Sequence, residues 1–199
     1  KIVSQISGEH YKNYPINKIT RNTQGVKIFC GVENELFNYD KVVIATHADE
    51  ALKLIENPTK DEFKILKNFK YKNNIAIIHS DETIMPIRKK NWCSWNSSMH
   101  ITNIKKTSVT YWLNRLQNLK IEKNIFLTIN PFLEIDEDKI FKKVKFTHPY
   151  YDKLTLDYQN QLNLIQNKAN ILFCGSYFGY GFHEDGLKSS IEMLKSIND

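Results

Sequence analysis

The sequence predicts a mixed α/β (α+β) chain, on three observations. Short runs of strand length fill residues 9–46 and again 75–147, two amphipathic helical stretches lie between them, and an apolar strand, a glycine-studded turn and a helix close the chain over 171–195. With 199 residues, 41% hydrophobic and 12% aromatic, the chain is long enough for one good core or two small ones.

The elements follow in order. Residues 14–20, 26–30 and 36–39 alternate partly and are separated by turn-like stretches at 22–25 and 31–34, which reads as a three-stranded meander. The continuous apolar run 42–45 suits a strand buried on both faces. Helices are predicted over 48–56 and 60–69, with Leu52 and Ile55 on one apolar face and Phe63, Leu66 and Phe69 on the other. Thr59 and Glu62 have the spacing of a capping box. Strands are then predicted at 75–79, 92–95, 109–113, 125–129 and 144–147, lengths that suit a mixed or antiparallel sheet, with loops 82–91 and 96–108 shaping an entrance. Trp92, Trp95 and Trp112 fall in this part and are either core or cavity lining. A helix over 154–166 places Tyr158, Leu162 and Ile165 on one side, and 167–170 turns into the closing strand.

Four of the seven glycines fall between Gly175 and Gly186, where the backbone can adopt positive φ and approach a ligand closely. A strand that ends in glycine and feeds a helix aims free N–H groups at one point, which suits a phosphate or the electron-rich edge of a heterocycle. A plain glycine turn carrying packed aromatics reads equally well from the pattern alone. Three scattered cysteines exclude a disulfide framework, and no metal site is expected. The net charge of +6 is spread along the chain, which speaks against nucleic acid. No apolar run approaches the length of a membrane span. The expected setting is cytoplasmic, with peripheral membrane contact as the remaining membrane role.

The wording FCGSYFGYGFHEDGL resembles the C-terminal signature of the flavin-containing amine oxidoreductase superfamily, an apolar strand with F-A-G-E/D/T followed by G-x-x-E-G-A at a helix start. It looks most similar to a bacterial subfamily of predicted NAD/FAD-binding proteins. Phe173, Cys174, Gly175 and Ser176 match the first part, and Gly181 to Gly186 match the second with one residue extra. The segments PINKI, GVKIFC and YDKVVIATHADEAL are similar to the family's V-x-x-I, G-V-x-V and A-D-x-V-I-x-A-x-P stretches. The resemblance implies FAD as cofactor. It places Ile16 at the adenine, Ala45 where a strand passes the cofactor, and Gly175 and Ser176 along the ribityl and pyrophosphate. It also places the N–H groups of Asp185, Gly186 and Leu187 at the C2 carbonyl of the flavin. Ile16 and Ala45 read equally as packing residues, and His47 as a loop residue. Glu184 is expected at the helix start or the ribityl hydroxyls, and His183 as a catalyst or as turn filling. Phe182 stands where amine oxidases place a tyrosine, so with Trp92, Trp95 and Trp112 it is assigned to an apolar or amine substrate.

The implied organisation is an FAD-domain portion at 1–50, a substrate domain with linking helices at 51–168, and an FAD-domain strand, turn and helix at 169–199. The family's N-terminal G-x-G-x-x-G unit is not among these residues, so the match is to the C-terminal half of a family member. The missing half is therefore an expected partner. The implied function is hydride transfer from an organic substrate to flavin. The alternative is a non-catalytic remnant or a lipid- or partner-binding module.

Overall fold

The computed structural model describes residues 3–22, 24–100, 102 and 107–197. Thr23 of the first predicted turn, and Ile101 with 103–106 of the second predicted entrance loop, lie outside the described residues. In chain order the strands and helices are β1 (Ile16–Asn22), β2 (Gly25–Cys30), β3 (Glu35–Tyr39), β4 (Val42–Ile44), α1 (Ala48–Leu54), α2 (Lys60–Leu66), β5 (Lys70–His79), β6 (Trp95–Met99), β7 (Thr107–Trp112), α3 (Leu113–Leu116), β8 (Phe126–Ile129), β9 (Ile140–Tyr150), α4 (Lys153–Gln159), β10 (Ile171–Phe173) and α5 (His183–Lys195). Two compact units form, one from residues up to 70 together with 149 onward, the other from 71–148.

In the first unit β1, β2 and β3 make the antiparallel meander, with Val26 opposite Tyr39 and Ile28 opposite both Ile19 and Phe37. Gly31 and Asn34 close the β2–β3 turn at φ 71° and 53°, a conformation glycine and asparagine tolerate. Helix α1 packs on β1 and α2, and Ile55 bridges to Ile19. The capping box of α2 forms as predicted: the Glu62 amide donates to the Thr59 hydroxyl at 3.2 Å, and the Thr59 amide donates to Glu62 Oε2 at 2.7 Å. The other Glu62 oxygen takes the Arg21 guanidinium, so a fully buried carboxylate is satisfied on both sides. Phe63, expected on the apolar face of α2, is 50% exposed, because Ile65 and Leu66 are the residues that turn inward.

Helices α1 and α2 and residues 149–168 belong to this first unit rather than to the one expected to bind substrate, since α2 packs against the 3₁₀ turn Leu162–Ile165. The helix expected over 154–166 is split into α4 and that turn. Strands β4 and β10 pair in parallel, Ile171 opposite Val42 and Phe173 opposite Ile44. Strand β10 is buried on both faces, but Val43 of β4 is 43% exposed, so β4 is covered on one face only. The outer edge of β10 is closed by a side chain. Gln166 donates to the Phe173 carbonyl at 2.6 Å and accepts its N–H at 2.9 Å, as a neighbouring strand would.

The second unit is a five-stranded sheet in the order β6-β7-β8-β5-β9. Strand β6 begins at Trp95, not at Trp92. The 3₁₀ turn Lys89–Asn91 turns Trp92 into the core, where it meets Met85, Phe126 and Trp112. Ile77, Ile84 and Ile135 make a second cluster. Between the clusters runs a buried polar line. His79 Nε2 meets Thr128 Oγ1 at 2.7 Å, Thr128 meets Thr110 at 2.9 Å, and the Asp81 amide donates to His79 Nδ1 at 3.1 Å.

Candidate functional site

The closing strand, turn and helix pack as one piece. Leu172 and Cys174 at the end of β10 meet Met193 of α5, which anchors the helix beneath the strand. Gly175 then sits at φ 155°, where a Cβ would come within 2.8 Å of the buried Tyr177 ring. Its N–H donates to Ser189 Oγ at 2.9 Å, and that hydroxyl donates to the Gly186 carbonyl at 2.7 Å, so one serine ties turn to helix. Gly186 lies beside the turn, where a Cβ would stand at ordinary contact, 3.7 Å from the Ser176 nitrogen. The turn from Ser176 to Gly181 is held from outside by Gln159, whose amide donates to the Tyr177 and Gly179 carbonyls at 2.9 and 2.6 Å.

The helix starts at His183. The Asp185 and Gly186 amides both donate to the Phe182 carbonyl, at 3.1 and 3.3 Å, and Leu187 lies inside the helix. Those three N–H groups are thus used by the helix itself, contrary to the sequence expectation. The open donors are the first two amides, His183 and Glu184. The Asp185 side chain works on the turn, accepting the Tyr180 and Phe182 amides at 3.0 Å each. The positive end of α5 and two open amides suit an anionic oxygen. Gly175 and Gly181 keep the backbone beside it free of side chains.

Ser176 sits half-buried in the turn, while His183, Glu184, Leu187 and Phe182 are exposed, the last at 69%. Glu184 lies 3.9 Å from Lys188. Ala45 is exposed just after β4, and His47 caps α1 from an extended loop conformation. Ile16 lines a separate apolar concavity of about 360 Å³ with Tyr11, Tyr14, Ile28, Phe37 and Tyr39. In the second unit Trp92 is buried, its indole donating to the Pro86 carbonyl at 2.7 Å, and Trp112 is half-buried and donates to Asn124 Oδ1. These two belong to the core and not to a cavity wall, which leaves Trp95, 65% exposed, as the accessible tryptophan.

Sequence reasoning passed over Ser189, Gln159 and Tyr151. The Tyr151 hydroxyl is buried against Gly181 without a hydrogen-bond partner, and burial together with the nearby Asp185 charge raises its pKa. Nothing local in the sequence marks these three, because each acts across at least three residues of chain.

No protein-family model matches the chain, and no curated protein matches it in sequence. Solved structures do match in fold. A fatty acid isomerase from P. acnes that produces CLA superposes at TM-score 0.66 with 12% identity, over 97% of this chain and 49% of that one. Putrescine oxidase bound to putrescine matches at 0.59 with 8% identity, over 94% and 49%. Cyclohexylamine oxidase from Brevibacterium oxydans matches at 0.52 with 8% identity, over 93% and 49%. The chain spans about half the length of the structures it matches, and its fold is that of the C-terminal half of an FAD-binding oxidoreductase.

Proposed function

We propose that this chain is the C-terminal half of an FAD-dependent oxidoreductase. The observation that carries the reading is the joined turn and helix start, in which Gly175 and Gly181 take φ 155° and 92° and the turn leads into the two open amides of His183 and Glu184. When bound, FAD supplies the redox chemistry by accepting hydride from an organic substrate. The residues here bind and orient. Gly175 and Ser176 lie along the ribityl and pyrophosphate, Ile16 and Ala45 flank the adenine side, and the His183 and Glu184 amides stabilise negative charge at the C2 carbonyl edge. That electrostatic role passes to them from Asp185, Gly186 and Leu187, while Asp185 holds the turn that presents them.

The substrate reading is an apolar chain or ring rather than a small amine. It rests on Phe182 and Trp95, the two exposed residues of the aromatic set that the sequence assigned to substrate, and it agrees with the fatty acid isomerase among the similar structures. The amine oxidases among them favour an amine. The location is read as cytoplasmic. No helix among the described residues is long and apolar enough to cross a membrane.

The test is FAD titration, followed by flavin fluorescence, into this chain alone and into the chain joined to an N-terminal half carrying G-x-G-x-x-G. Weak binding by the first and retention by the second is the expected result. If neither form retains flavin, the non-catalytic lipid- or partner-binding module takes the reading's place.

A further inference from the structure

Basic residues that are scattered in the sequence are gathered by the fold of the second unit. The loop 86–91 and the segment 113–124 meet at one end of its sheet. Arg115 donates to the Trp92 carbonyl at 3.1 Å, and Glu82 accepts both Asn124 at 2.7 Å and Lys89 at 3.0 Å. Lys123 lies 5.0 Å over the ring of Phe141, which brings the start of β9 to the same end.

This end exposes Ile87 completely, at 102%, together with Leu116, Ile121 and Phe141 at about half each. Around them stand six cations, Arg88, Lys89, Lys90, Arg115, Lys120 and Lys123, all exposed, against Glu82 and Glu122. Asn124 and Lys89 lower the Glu82 pKa, and Glu82 is paired with Lys89 at 3.0 Å. Aliphatic tips ringed by cations are the composition of a surface that lies on an anionic bilayer, where each near-surface cation and each buried apolar side chain adds affinity. A nucleic acid fits less well. Ile87, Leu116 and Ile121 offer no stacking surface, and the ring of Phe141 is already covered by Lys123.

We propose that this end of the second unit, centred on Ile87, docks on an anionic lipid surface. Charge complementarity selects the leaflet and Ile87 enters its interface. The proposal stands independently of flavin binding.

The experiment is flotation of the 199-residue chain with phosphatidylcholine vesicles, with and without phosphatidylserine, at low and high salt. Binding is expected only with phosphatidylserine and is expected to weaken with salt. Lys90→Glu combined with Lys120→Glu should lower it by about 25-fold or more, since each cation lost costs about five-fold. Ile87→Ser should lower it about ten-fold while keeping the salt dependence. Lys60→Glu combined with Lys64→Glu, the same charge change on exposed residues of the first unit, should leave it unchanged, as should Lys64→Glu alone. The near-ultraviolet dichroism of the Trp92–Trp112 pair checks folding in each variant. Equal binding to both vesicle types, or equal loss with Lys64→Glu, overturns the proposal. So does binding that heparin removes and that Ile87→Ser leaves intact, which would mark a general polyanion surface.

Discussion

Two alanine substitutions, Gly175→Ala in the turn and Gly186→Ala in α5, separate a strained, crowded glycine from one at ordinary contact. Gly175→Ala places a Cβ on a residue at φ 155°, 2.8 Å and 2.9 Å from two carbons of the Tyr177 ring and 3.5 Å from the Thr46 carbonyl oxygen. The strained backbone costs on the order of 1–3 kcal/mol. Tyr177 is only 2% exposed and is held edge-on by Phe69 at 5.3 Å, so it has little room to yield, and overpacking adds on the order of 1–3 kcal/mol. The expected loss is about 2–6 kcal/mol. Gly186→Ala lies in helical backbone with its new atom at ordinary contact, 3.7 Å from Ser176, and gains about 1 kcal/mol of helix propensity. At roughly 2–4 °C per kcal/mol, the first variant should melt about 4–24 °C lower and the second about 2–4 °C higher. All three tryptophans lie in the second unit, so melting of the first should be followed by tyrosine dichroism and calorimetry rather than by tryptophan emission. A Gly175→Ala protein that melts with the parent would refute the account of the turn.

Gln166→Ala should destabilise the first unit by about 1–3 kcal/mol in urea unfolding, because the Phe173 amide and carbonyl lose both partners in a fully buried strand. Burial alone would raise the Asp81 pKa, but the Asp136 and Thr83 amides, the Thr83 hydroxyl and Lys139 outweigh it and bring the carboxyl to about 2. Its folded pKa is depressed, so its stabilisation of about 2 kcal/mol is present above the ordinary carboxylate pKa and is lost as pH falls toward 2. Asp81→Asn should remove that acid dependence in tryptophan-monitored melts. Burial lowers the His79 pKa, so the unfolded chain takes up a proton more readily than the folded one. Stability of the second unit should therefore decline as pH falls below the ordinary histidine pKa, by at most about 1.4 kcal/mol per pH unit, and this slope should vanish in His79→Gln.

The meander and the capping box were legible in the sequence because each is set by nearby residues: asparagine and glycine in the β2–β3 turn, Thr59 and Glu62 around one helical turn. The parallel pairing of β4 with β10 joins residues more than 125 positions apart and was not. The candidate site was legible only as a stretch. The pattern marks a helix start near Glu184 but not that the Asp185 carboxylate reaches back to the Tyr180 and Phe182 amides, which leaves His183 and Glu184 as the open donors. The burial of Trp92 depends on Phe126, thirty-four positions away by numbering, which no local pattern shows. The basic residues read as spread because their neighbourhood is made by the sheet and not by the chain.

Asp185 and Gly179 show how tightly this turn links its own spellings. A Cβ on Gly179 would stand 2.3 Å from the Asp185 carboxylate, so any side chain at 179 expels the group that holds the amides of Tyr180 and Phe182. Neither position can drift alone. A shorter residue at 185 would make room at 179 but abandon the two amides, so the pair behaves as one heritable character, and a graft of this turn into another scaffold has to carry both.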